Sequence, residues 1–333
     1  CDGLPQNESE GSNLHHRRIR GYDTPKSLLK LKWLDLLYSL RARRKLPDAD
    51  ILLTHTFWLP MLARSPRRHG QLFVHVGRAP KGQMRLYKHA ARLQTVSSPI
   101  AGAIQDELPS RLSELAIVLP YPLDPAFLEI QPPEGPRLKR ILYGGRMHPE
   151  KGLELLVRAF KKLPDGLRSK WALKFVGPWQ EKHGGAGSAY MESMRSLTDA
   201  SDNIQFQEPI FDQAALIREY DQAEAFVYPS LAEHGETFGL AALEAMSRGC
   251  LTIVSDLSCF KDFVRDGENA FSFDHRTANP VRSLVDKLVD LLQNHEKLNL
   301  TRKKAVATAQ AYSPRLVGKA FLEVFNEIVR RAG

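Results

Sequence analysis

The sequence predicts an α/β protein of two doubly wound, parallel-sheet domains facing a central cleft. Three observations carry that expectation. Short apolar runs alternate with helix-like stretches along most of the chain. Most of the later runs are continuously apolar, as expected of parallel strands covered on both faces. A stretch with three prolines and a glycine, "EIQPPEGPR" (129–137), interrupts the alternation, which then restarts. The domains are therefore expected over 1–136 and 137–333, the second ending in helices. The 333 residues are long enough for two ordinary cores.

Taken in order, the polar opening "CDGLPQNESEGSN" reads as an internal loop. Residues 24–46 follow as a helix, with Thr24 able to cap and Pro25 suited to the first turn. Its apolar residues cover nearly the whole circumference, which favours a packed helix over a surface one. Strands are expected at 50–55, 71–76, 93–98 and 115–120, with a helix in "SPIAGAIQDEL". Beyond the linker come strands in "KRILYGG", "WALKFVG", "NIQFQ", "EAFVYPS", "LTIVSD" and "AFSF". Helices are expected from Pro149, from about Phe238, and over most of the chain after Ala278. The glycine-rich "KHGGAG" (182–187) lacks a phosphate-loop pattern and reads as a connection.

Composition is globular, with 43% apolar and 26% charged residues. No apolar run approaches the roughly 18–20 residues that span a bilayer, and the first residues do not read as a charged-then-apolar leader. Cys1, Cys250 and Cys259 are odd in number and lack metal-ligand spacing, which fits a reducing, cytoplasmic setting. Charge is uneven: residues 15–92 hold 18 Lys and Arg against four acids, although the whole chain carries only +9. A basic lobe of this kind suits an anionic partner, and peripheral contact with an anionic membrane is one expectation. The lobe lacks clustered aromatics for base stacking, so no nucleic acid is expected.

Two constellations carry the chemistry. In "ILYGGRMHPEKGLELLVRAF" (141–160) a strand ends at Gly144 and Gly145, and Arg146 and Lys151 flank a helix start. Close backbone approach, free amides and two cations make a site suited to a diphosphate. In "EHGETFGLAALEAM" (233–246), Glu236 and Glu244 stand eight apart, about 80° from each other at helical spacing. Such carboxylates suit an acid/base pair, a metal clamp or sockets for hydroxyl groups. Gly239 sits at the strand-to-helix turn, where a ligand could meet the amides of Phe238, Gly239 and Leu240.

Together these stretches resemble the retaining nucleotide-sugar glycosyltransferases of family 4, whose fold is GT-B. "PSLAEHGETFGLAALEAMSRGCLTIVSD" is similar to that family's Glu, seven residues, Glu signature, and "GGRMHPEKGLELLVRAF" to its Arg…Lys-Gly motif. The resemblance is strong over 139–333 and looser over 50–125. It implies transfer of a hexose from a nucleotide diphosphate sugar to a glycan or lipid-linked acceptor. It also implies no metal or other cofactor, with same-face attack assisted by the departing phosphate. Arg146 and Lys151 would neutralise the diphosphate beside Gly145, Glu244 would take the ribose hydroxyls, and Glu236 the hydroxyls of the sugar. The backbone at Phe238, Gly239 and Leu240 would complete the sugar pocket, and 209–211, with Ile210, would lie near the base. His75 resembles the histidine that reaches toward the reacting centre, and His55 is a second candidate. Two departures bear on acceptor recognition: the family's initial strand and Gly-rich loop have no counterpart before His15, so the first domain is expected to lack them, and Tyr121 and Pro122 replace its Asn-Gly turn. A donor-binding but catalytically weak subunit or scaffold is the alternative. A hydrolase using Glu236 and Glu244 fits poorly, because Arg146 and Lys151 would be idle.

Overall fold

In a computed structural model of the chain, residues 4–25, 27–199 and 201–332 are described; Cys1 lies outside them. Two compact units emerge. Unit one holds the described residues up to Thr95, Ile100–Val118 and the residues from Leu322; unit two holds Val96–Pro99 and Leu119–Phe321. Compactness thus parts the chain at Val118, ahead of the proline-rich stretch at 129–137. Leu123 and Phe127 pack into the unit-two core, and the Arg248 guanidinium donates to the carbonyls of Phe127, Ile130 and Gln131, so this stretch is held to unit two.

Unit one opens with a hairpin, β1 (Asn7–Glu10) and β2 (Leu14–Arg17), where a loop was expected. Polar cross-strand partners hold it, including Ser9 with His15 at 2.8 Å and Glu10 with His16 at 3.1 Å. The next helix is Leu28–Arg43, capped by Ser27 and not by Thr24. It corrects the expectation of a packed helix, because Leu28, Leu29 and Trp33 are 76%, 82% and 61% exposed. Apolar residues distributed all round a helix cannot all meet one neighbour, so some are left in solvent. Strands β3 (Ile51–Thr54), β4 (Gln71–His75), β5 (Arg92–Thr95) and β6 (Ala116–Val118) form a parallel sheet in sequence order. Leu72, Val74, Leu93 and Ile104 are among its core residues. The end of the last helix, Pro314–Ala332, belongs here too, with Arg92 paired to Glu327 at 3.1 Å.

Unit two is built on six parallel strands: β7 (Leu138–Gly144), β8 (Ala172–Val176), β9 (Ile204–Gln207), β10 (Ala223–Tyr228), β11 (Leu251–Ser255) and β12 (Phe271–Phe273). Their spatial order is β12-β11-β10-β7-β8-β9, as in a doubly wound sheet. All of β10 and β11 is buried, which is why those runs read as continuously apolar. Glu224 is the charged exception in β10, and it is satisfied by His295 at 2.7 Å and by Arg302. The helix expected from Pro149 begins instead as a single tight turn, Pro149–Lys151. Gly152 then takes a left-handed conformation before the helix Leu153–Lys161. Cys250 and Cys259 are buried and unbridged, and burial pushes the Cys250 thiol up to about 11. Among the described residues, no helix is long and apolar enough to cross a membrane.

The strand order reverses between β7 and β10. The carboxyl ends of strands at such a reversal are where doubly wound sheets take ligands.

Candidate donor site

The segment after β7 approaches its neighbours closely. Gly145 has φ +148°, and its amide donates to the Val176 carbonyl at 3.0 Å. A Cβ on Gly177 would stand 1.9 Å from the Gly145 carbonyl, so these two strand ends require glycine. Gly152 has φ +71°, and a Cβ there would lie 2.0 Å from the Pro229 carbonyl beyond β10. That contact brings the segment after β7 against the segment after β10. It also delivers Lys151 to Glu236, 85 residues further along the chain.

The Lys151 ammonium donates to Glu236 Oε2 at 2.7 Å, with side chains only 4% and 10% exposed. The Tyr228 ring lies 5.8 Å from the ammonium and stacks on Tyr143 with ring centres 5.8 Å apart. Burial, reinforced by the Glu236 charge, holds both phenols well above the ordinary tyrosine range, so both stay neutral. Arg146 is half-exposed and donates to the Gly184 carbonyl at 2.8 Å and to Glu150 Oε1 at 3.2 Å. Glu150 Oε1 also stands 3.9 Å from the Lys151 ammonium, so one carboxylate lies between the two cations. A ligand with two anionic groups would replace that single charge.

The structure separates the two glutamates of the signature. Glu236 precedes the helix Leu240–Ser247, and Gly239 interrupts the chain between them with φ +83°. Helical spacing therefore does not relate them. Glu244 lies inside the helix, where its carboxylate accepts from the Tyr220 hydroxyl at 3.0 Å. Burial raises the Glu244 carboxyl above its ordinary value, the Tyr220 hydrogen bond opposes that, and the Asp124 charge adds to it.

The Phe238 side chain is core, with ring centres of Phe263, Tyr312 and Tyr121 at 5.6, 5.7 and 6.1 Å. Only its backbone is left for a ligand. Tyr121, where the Asn-Gly turn was looked for, meets the Phe238 ring edge-on and stays 39% exposed. A Cβ on Gly239 would meet the Phe260 ring at 2.2 Å, and no side chain caps the helix start at Gly239. Ile210 is half-buried against the core, and its neighbour Phe211 is 74% exposed near the His183 ring.

His75 and His55 belong to unit one. His75 is half-buried at the end of β4, with Nδ1 2.6 Å from Gln94 Oε1, and His55 is exposed. Gly145, Arg146, Lys151, Ile210, Glu236, Phe238, Gly239, Leu240 and Glu244 all belong to unit two. Among the described residues no three His, Cys, Asp or Glu side chains gather as metal ligands.

Sequence reasoning missed several members of this group. Glu150 was visible as a charge beside Lys151, whereas Tyr143, Tyr220 and Tyr228 carry no signal that separates them from core aromatics. The loop at 182–187, read as a connection, is fastened to the site through Gly184, and the Ala186 amide donates to Met147 at 3.0 Å.

Residues 129–308 match the family described as glycosyl transferases group 1. The chain belongs to that family. A D-inositol 3-phosphate glycosyltransferase of Acidothermus cellulolyticus is 30% identical over 156 residues, covering 45% of this chain and 33% of the relative. The chain spans from a third to about half of the length of the curated relatives it matches. A sucrose-phosphate synthase of Thermosynechococcus elongatus superposes with a TM-score of 0.76 at 18% identity, over 99% of this chain and 87% of that one. A structure of Anabaena HepE in complex with UDP superposes at 0.69 and 14% identity, over 88% and 82%. The fold of the family member described here is GT-B, with two Rossmann-like units.

Proposed function

We propose that this family member is a retaining hexosyltransferase that uses a nucleotide diphosphate sugar without a metal. The observation that carries the reading is the buried pair of Lys151 and Glu236, at 2.7 Å, beside the close-approach backbone at Gly145. Lys151 and Arg146 bind the diphosphate, and as the bond to the sugar breaks they stabilise the charge growing on the leaving phosphate. Glu236 steadies the Lys151 ammonium and accepts hydroxyls of the transferred sugar. Glu244 accepts ribose hydroxyls, with the backbone at Phe238, Gly239 and Leu240 closing the sugar pocket and Ile210 near the base. The acceptor hydroxyl attacks on the face the phosphate leaves, and its proton passes to that phosphate. His75 completes the reading as a catalytic histidine from unit one. The acceptor is a glycan or a lipid-linked sugar. Exposed Leu28, Leu29 and Trp33, on a helix ending in Arg41 and Arg43, support peripheral contact with an anionic bilayer.

The test is a screen of UDP- and GDP-hexoses for hydrolysis and transfer, with and without chelator. Unchanged turnover in chelator and a product that keeps the donor's anomeric configuration support the reading. Unaltered nucleotide affinity in both Lys151→Ala and Glu244→Ala overturns it.

A further inference from the structure

The "EHG" that precedes Glu236 has no part in the reading above. The Ala232 carbonyl accepts from the amides of Gly235 at 3.1 Å and Glu236 at 2.9 Å, which makes 232–236 one tight turn. Its base is hinged where the Leu231 amide donates to the Glu150 carbonyl at 2.8 Å. The inner side of the turn presents Glu236 to Lys151. The outer side presents Glu233, whose carboxylate accepts from Arg276 Nε at 2.8 Å and Nη2 at 2.8 Å. His275 Nε2 lies 2.7 Å from the same carboxylate.

Arg276 is itself fixed. Its amide donates to Asp274 Oδ1 at 2.8 Å, and its Nη1 donates to the Asp256 carbonyl at 2.7 Å. Asp256 follows β11 and Arg276 follows β12, while the turn follows β10. One guanidinium therefore ties together the segments beyond three adjacent strands. Glu233 and Arg276 are 41% and 44% exposed, so the pair adds little to stability. What a two-pronged arginine contact supplies is orientation, because it fixes the plane of the carboxylate it grips.

We propose that Arg276, assisted by His275, is a positioning residue for Glu236: by gripping Glu233 it sets where the Glu236 carboxylate meets the transferred sugar. The proposal rests on the reading that Glu236 contacts that sugar. A turn closed by its own hydrogen bonds moves as a unit, so releasing the outer anchor displaces the inner carboxylate. Lys151 keeps Glu150 at 3.9 Å and the Tyr228 ring at 5.8 Å when Glu236 shifts, so nucleoside diphosphate binding through Lys151, Arg146 and Glu244 is largely kept. The clamp therefore acts on sugar selectivity and on turnover.

Two measurements on the full chain test this. The first is hydrogen exchange of the ligand-free protein. Arg276→Ala and Glu233→Gln are expected to speed exchange of the Gly235 and Glu236 amides, with Arg276→Lys in between; exchange equal to wild type in both variants overturns the clamp. The second compares UDP with the UDP- or GDP-hexose that wild type turns over fastest. Placement errors near an ångström cost up to about 100-fold, so a partial release is expected to lower kcat/KM about 10-fold in Arg276→Ala. The Kd for UDP should stay within about twofold over the same change, a shift of about 0.4 kcal/mol. Arg276→Lys, which keeps the charge beside Glu233 but not the two-pronged grip, should lose less than Arg276→Ala. A kcat/KM equal to wild type, or a parallel loss of UDP affinity, overturns the proposal. If wild type binds no nucleotide, the donor reading falls, and with it the sugar-positioning role, while the exchange result still decides whether the clamp holds the turn.

Discussion

Replacing Lys151 with methionine removes a nearly buried ammonium and keeps a chain of similar length. Glu236 is then left 10% exposed, without the cation that sits 2.7 Å away. Breaking a buried ion pair on one side costs about 3–5 kcal/mol, because the remaining charge is desolvated and uncompensated. Glu236 keeps some exposure, so the lower end applies, and the expected loss is about 3 kcal/mol. Removing both charges in Lys151→Met with Glu236→Gln should restore most of it, since the double variant buries no unpaired ion. Urea unfolding of wild type, the two single variants and the double variant measures the coupling directly. The reasoning is refuted if Lys151→Met unfolds at the wild-type urea concentration, or if the double variant loses the sum of the two single losses. Nucleotide binding separates the two roles of the pair: the double variant should regain stability without regaining affinity.

Gly152→Ala strains a left-handed residue and drives a methyl group toward the Pro229 carbonyl, 2.0 Å from its ideal position. Left-handed strain and overpacking together cost about 2–4 kcal/mol, read as a lower urea midpoint with weakened nucleotide binding. Glu244→Gln should do the opposite to stability. Burial raises the folded-state carboxyl above its unfolded value, so the folded chain holds that proton more tightly; its stabilising effect is present below the unfolded pKa and is lost as pH rises through the folded one. The variant should therefore unfold later than wild type at pH 7, with the gain shrinking toward pH 4, while its affinity for UDP falls about tenfold through loss of a charged hydrogen bond. Arg248→Met removes a fully buried guanidinium from Asp221 and from the carbonyls of Phe127, Ile130 and Gln131. About 3–5 kcal/mol of stability should be lost, seen in urea unfolding, and the 129–137 stretch should become open to limited proteolysis.

The sequence by itself determined the strands of the two parallel sheets and the motifs, because both are written in short windows, whereas the polar hairpin β1–β2 read as a loop. Apolar runs such as "AFVYPS" and "LTIVSD" become β10 and β11 since a fully buried parallel strand needs no longer-range information to be recognised. Gly145 and Gly239 were legible as close-approach or turn positions for a similar reason. The exposed helix Leu28–Arg43 was misread because its composition could not say which neighbours would be present to cover it. Only the tertiary structure decided the partners. Lys151 finds Glu236, Glu244 finds Tyr220, and Glu233 finds Arg276 across 85, 24 and 43 residues of chain. Each pairing depends on which strands lie side by side, above all on β10 returning to the flank of β7. That order is set by packing of the whole sheet, and no local pattern of residues contains it.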